Sequence, residues 1–173
     1  LAAQIGIGAV KYSDLSHDPI TDIDFSWDKA LALEGNSGPY LQYAYARVCT
    51  LLEKAATTDG GTPVPPRPFK KEGDDSTLLP SSFILLTSHE KRLALALLEF
   101  PGAVVRAAEA YKPSVLADYL FQTAQLYSSF YQNAPILKSA EEVRRARLRL
   151  CALFGKVLKT GLNLLGIETP SRI

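Results

Sequence analysis

The run from Ser139 to Leu165 does most to limit what this chain can fold into. Within it Val143, Ala146, Leu150, Leu153 and Val157 recur by alternating steps of three and four. At about 100° per residue such spacing gathers them on one side of an α-helix. Arg145, Arg149, Lys156 and Lys159 gather on another side. Ser139 and Glu142 have the spacing of a capping box at the start, and Gly166 is placed to end the helix. A helix with one apolar stripe draws its stability from partners that cover the stripe, so the rest of the chain has to supply them.

It does so with more helices. Leu1 to Tyr12 suits a short helix, and Ser13 to Pro19 reads as turn and loop. Ser26 is an available N-cap for a short helix through Leu31, which Glu34-Gly35-Asn36-Ser37-Gly38 breaks. Pro39 suits the opening of a long helix with few breakers before Thr57. Tyr40, Tyr43 and Arg47 share one face of it, and Leu41, Ala44, Val48, Leu51 and Leu52 form the neighbouring stripe. Residues 57–82 hold six prolines and glycines between Gly60 and Pro68, with charges beyond them, and predict a flexible surface loop. Thr87 and Glu90 form a second capping box before Leu93, Leu95, Leu97 and Leu98. A short helix from about Gly102 to Tyr111 follows. From Pro113, the residues Leu116, Leu120, Ala124, Tyr127 and Tyr131 mark another helix that stops near Gln132-Asn133-Ala134-Pro135. The expected fold is all-α, a bundle of about five or six helices.

Charge and cysteine usage narrow the class. The 173 residues carry a net charge of +1, but residues 138–173 hold 8 basic and 3 acidic side chains. A locally basic end suits a surface near phosphates, and equally a solvated helix face. No apolar run reaches the ~18 residues that span a bilayer, so no membrane partner is expected. Cys49 and Cys151 read as small buried side chains in a reducing compartment. Leu1 and the absence of methionine point to a fragment or a processed chain.

Catalytic chemistry finds little footing. His17 and His89 are the two histidines, and neither stands in metal-ligand spacing with a cysteine. There is no Gly-rich phosphate loop and no Ser-centred elbow. Binding is better served, because Tyr40, Tyr43, Phe130 and Tyr131 put rings near helix ends. Rings stack on unpaired bases while Arg and Lys neutralise phosphate, the usual way of reading single-stranded RNA. On composition alone, a core role for these rings is the more economical one.

Three ordered segments carry a resemblance. Gly6-Ile7-Gly8-Ala9-Val10-Lys11-Tyr12-Ser13-Asp14-Leu15-Ser16 is similar to the segment that closes the catalytic part of arginyl-tRNA synthetases. Phe25 to Leu31 and Glu34-Gly35-Asn36-Ser37-Gly38-Pro39-Tyr40-Leu41-Gln42-Tyr43-Ala44-Tyr45-Ala46-Arg47 continue it in order. Ala146 to Leu162 and Leu164-Leu165-Gly166-Ile167-Glu168-Thr169-Pro170 resemble the helix and tail of that family's anticodon-binding domain.

The resemblance implies a class I synthetase anticodon-binding fold, with residues 1–33 as the edge of a catalytic region and 34–173 as the anticodon-binding domain. It implies an arginine–tRNA ligase that uses ATP and magnesium. Its signatures, His-x-Gly-His and a Lys-Met-Ser-Lys-Ser loop, are absent, so no catalytic residue and no cofactor are expected in this fragment. Carried over by position, Tyr43 sits at the anticodon loop with Tyr40 and Arg47 beside it, and Tyr131 holds a splayed base. Gln132 and Asn133 are candidates for base edges, and Arg145, Arg149 and Lys156 for phosphates. Ile173 stands where the family commonly ends in methionine and keeps an apolar side chain there. The implied partners are tRNA(Arg) and the missing catalytic domain of the same chain, in a monomeric cytoplasmic protein. The alternative is a helical interaction or scaffold domain that binds no RNA.

Overall fold

The computed structural model describes residues 1–58 and 87–173, and every regular element among them is an α-helix. There are seven, one or two more than expected: α1 (Ala2–Leu15), α2 (Trp27–Ala30), α3 (Gly38–Thr58), α4 (Ser88–Leu98), α5 (Phe100–Glu109), α6 (Pro113–Asn133) and α7 (Glu141–Leu164). Thr57 and Thr58 are helical rather than loop, and the remainder of the expected loop, 59–82, lies outside the described residues.

The core lies where α3, α4, α6 and α7 meet, around Leu41, Leu93, Leu120, Phe130, Phe154 and Leu158. Tyr127 of α6 stacks on Phe154 of α7, with ring centroids 4.1 Å apart and planes 11° apart. That contact sets the rotation of α7. The face it buries runs through Arg147, Leu150, Cys151, Phe154, Leu158 and Leu162, while Leu153, expected on the apolar side, is exposed. Gly166 ends the element as expected, at φ 69°. With it Ile167 N–H donates to Leu162 O and Gly166 N–H to Asn163 O, both at 2.9 Å, which completes a Schellman motif.

Helix α1 runs three residues past Tyr12, through Ser13, Asp14 and Leu15, which the sequence reads as loop. A long-range anchor holds that end. Tyr12 is fully buried in the shared core, and its hydroxyl donates to Asn36 Oδ1 at 2.6 Å with Ala117 O as the longer branch, 3.2 Å away. Helices α1 and α3 then touch backbone to backbone: a Cβ on Gly38 would lie 2.7 Å from Gly8 O. Buried Gln42 locks the join, its Nε2 donating to Gln4 O at 3.2 Å and to Glu168 O at 2.8 Å. Thus α1 shares one core with the bundle across the boundary expected at residue 33.

The two capping boxes divide. Thr87 Oγ1 accepts from Glu90 N–H at 3.3 Å and Glu90 Oε2 accepts from Thr87 N–H at 2.7 Å, as expected. At α7 the N-cap is Ala140, and no side chain caps it. Ser139 is occupied elsewhere: its hydroxyl donates to Pro135 O and accepts from Arg147 Nη1 at 2.7 Å. Ser26 likewise holds an N-cap position without a side-chain bond.

Arg147 is the centre of this region. Its Nε donates to Glu90 Oε1 at 2.6 Å, and both side chains are over nine-tenths buried. Burial by itself raises the Glu90 carboxyl pKa, but bonds from Arg147 and Thr87 outweigh it and hold the group below its usual range. A depressed carboxyl contributes its stability fully above the ordinary carboxylate range and loses it as pH falls.

Three substitutions have expected outcomes. Arg147→Met should cost about 3–5 kcal/mol in urea unfolding at neutral pH, because it strands a buried carboxylate. That cost should shrink on acidification as Glu90 takes up a proton. Gly38→Ala should cost roughly 1–3 kcal/mol through overpacking. Gly6→Ala, whose Cβ meets nothing within 4 Å, should be neutral or stabilise by up to about 1 kcal/mol.

Candidate nucleic-acid interface

On the surface above the Tyr127–Phe154 stack, α3 and α6 border a cleft of about 310 Å³. Its lining includes Tyr40, Tyr43 and Arg47 from α3 and Tyr127, Ser128 and Gln132 from α6. Leu33 and Glu34, from the turn between α2 and α3, close one side.

Arg47 organises the cleft. Its guanidinium carbon lies 4.6 Å from the centroid of Tyr131 and 5.6 Å from that of Tyr43, so one cation bridges rings on both helices. Each such contact contributes about 0.5–1 kcal/mol at a partly exposed site. Tyr131 is half-buried and leans on Tyr127 at 6.1 Å, while Tyr43 is 38% exposed and keeps ring surface available. Tyr40 is half-buried, edge-on to Phe121 at 5.9 Å. Burial raises its phenol pKa and the Arg47 charge opposes the shift.

The floor is the core itself. Tyr127 is 3% exposed, and its hydroxyl has no hydrogen-bond partner among the described residues. Burial holds that phenol protonated well above its ordinary range and pushes the nearby Cys151 thiol up to about 12. Cys151 is a buried free thiol as expected, whereas Cys49 is only half-buried.

The structure gathers five of the ten expected residues: Tyr40, Tyr43, Arg47, Tyr131 and Gln132. Asn133 is adjacent and exposed, but its Nδ2 donates to Ser129 O at 2.8 Å within its own helix. Arg145, Arg149 and Lys156 fall about 160° to 200° around α7 from buried Arg147, on the side opposite the face that packs on α3 and α6. All three are exposed, and Arg145 pairs with Glu141 one turn earlier. Ile173 is 44% exposed and lies outside the cleft lining, while Arg172 beside it reaches Glu53 on α3 at 3.0 Å. Sequence reasoning missed Tyr127, Ser128, Leu33 and Glu34 of the lining, and Phe121 against Tyr40. Only the aromatic signal of Tyr127 and Phe121 was available to find them, since the other three depend on how α2, α3 and α6 are placed.

A second surface stands apart. Ala3, Gly6, Ile7, Val10, Lys11 and Trp27 line a shallow, nearly all-apolar depression of about 440 Å³ on α1 and α2. Ile7, Val10 and Trp27 are 57%, 43% and 59% exposed, and Phe25 meets Trp27 edge-on at 4.9 Å. Among the described residues no group of three or more His, Cys, Asp or Glu side chains could hold a metal ion. No described helix is long and apolar enough to cross a membrane.

Comparison with known proteins identifies the family of the fold. The arginine–tRNA ligase of Edwardsiella ictaluri is 42% identical over 174 residues, covering 100% of this chain and 27% of the relative. That of Proteus mirabilis is 41% identical with the same coverage. The solved arginyl-tRNA synthetase of Thermus thermophilus superposes with a TM-score of 0.81 at 35% identity, over 99% of this chain and 27% of that one. The chain thus spans about a quarter of the length of these relatives. The sequence model of the DALR anticodon binding domain matches residues 41–173, and the chain belongs to that family.

Proposed function

We propose that the α3–α6 cleft binds the anticodon loop of tRNA(Arg), as the recognition part of a longer, monomeric arginine–tRNA ligase that uses ATP and magnesium in the cytoplasm. The observation that carries this reading is Arg47 held between Tyr43 and Tyr131. A cation fixed between rings suits an unpaired base, which stacks on the exposed tyrosine while its phosphate meets the guanidinium. Gln132 supplies an amide able to donate and accept at a base edge, and Asn133 adds a weaker contact at the same helix end. Arg145, Arg149 and Lys156 take a different part, contacting phosphates away from the base-reading cleft. Ile173 offers an exposed apolar side chain outside the cleft lining. The apolar face of Ile7, Val10 and Trp27 suits packing against a catalytic domain in the same chain. Residues 1–33 then serve as a joint between that domain and 34–173.

Binding to tRNA should weaken steeply as salt rises, because phosphate contacts release counterions. Tyr43→Ala and Tyr131→Ala should each lower affinity for arginine anticodon loops about 5- to 150-fold, the loss of one stacked base, and leave the salt slope unchanged. Arg149→Ala with Lys156→Ala should flatten the slope by about one to two without changing anticodon discrimination. Filter-binding or anisotropy titrations across a salt series measure all three. Equal binding of matched and anticodon-swapped tRNA by the unaltered chain would contradict the recognition role.

A further inference from the structure

Glu34 is the one acidic residue in the lining of the α3–α6 cleft, beside Tyr40, Tyr43, Arg47 and Gln132. It is exposed, and no hydrogen bond or ion pair engages its carboxylate among the described residues. Arg47, the neighbouring cation, is held over the two tyrosine rings instead. The turn that carries Glu34 is braced on both sides. Gly35 adopts φ 79°, Asn36 Oδ1 accepts from the Tyr12 hydroxyl at 2.6 Å, and Ser37 Oγ donates to Ala32 O at 2.5 Å. Ser37 Oγ also accepts from Tyr40 N–H at 3.2 Å, which ties the turn to the first turn of α3.

An unpaired carboxylate on a braced turn is a liability in a cleft that receives a polyanion, since it repels every phosphate that approaches. It becomes an asset only toward a donor, because an ionised carboxylate accepts hydrogen bonds and donates none. On an unpaired base the donors are the exocyclic amino groups of cytosine, adenine and guanine, with the ring N–H of guanine beside its amino group. Uracil has no amino group, and its single ring N–H stands between two carbonyl oxygens that a carboxylate repels. Gln132 cannot make this choice, because its amide matches either polarity.

We propose that Glu34 is a specificity-determining residue that selects an amino-bearing base in the cleft and rejects uracil. This rests on the cleft being the site of the anticodon loop. The test uses anticodon stem–loop RNAs in which each unpaired position in turn carries cytosine, adenine, guanine or uracil. They are titrated by anisotropy against the unaltered chain and Glu34→Gln, with circular dichroism to compare folding. At one loop position the unaltered chain should prefer amino-bearing bases over uracil by about tenfold or more. Glu34→Gln should collapse that preference by weakening the amino-bearing loops, while uracil loops hold or tighten. Uniform tightening of all loops would mean that Glu34 only repels phosphate, and would overturn the proposal. So would binding that needs Tyr43 yet shows no base preference at any position, although the anticodon reading would then stand. Absence of loop binding altogether would overturn both.

Discussion

The face-to-face contact of Tyr127 with Phe154 is the interaction on which the rest of the molecule depends. On its lower side it fixes how α7 is rotated against α6, and so which of the final helix's residues are buried. On its upper side the same tyrosine floors the cleft between α3 and α6. The proposed base-reading surface is therefore mounted directly on the core. A ring 3% exposed, with neighbours packed on both sides, holds Tyr131 and Arg47 in register more firmly than a loop would.

A second constraint sets the limits of that surface. Arg147, sealed from water with Glu90, also reaches Pro135 O at 3.4 Å and Ser139, so it ties the connection after α6 to the start of α4. The end of α6, where Tyr131 and Gln132 stand, is thereby anchored from below. At the opposite wall the turn before α3 is held by Tyr12 and Ser37. The cleft thus lies between two braced helix ends, with the Arg47 cation between them.

Much of this was legible in the sequence, and the failures have one cause. Local signals worked: Thr87 and Glu90 cap each other because their partners are three residues apart, and Gly166 ends α7 because its conformation is strained for other residues. Tyr40, Tyr43 and Arg47 shared a face by spacing alone. The misses all turn on distant partners. Ser139 has capping-box spacing, but Arg147 and Pro135 claim its hydroxyl. Ser13 and Asp14 look like loop, but Tyr12 is anchored to Asn36 and Ala117. Leu153 fits the apolar stripe, yet the Tyr127–Phe154 stack turns it outward. Arg147 left a readable clue, a cation at a core-spaced position between Val143 and Leu150. Glu34 left none, since a turn residue's neighbours follow only from the assembled helices.

The central claim is that the α3–α6 cleft holds the anticodon loop, and footprinting of bound tRNA tests it most directly. Nuclease and chemical probing of tRNA(Arg) with the chain should show protection concentrated in the anticodon loop, lost with Arg47→Ala while that variant stays folded. Protection confined to the acceptor stem, or loop protection indifferent to Arg47, would contradict it.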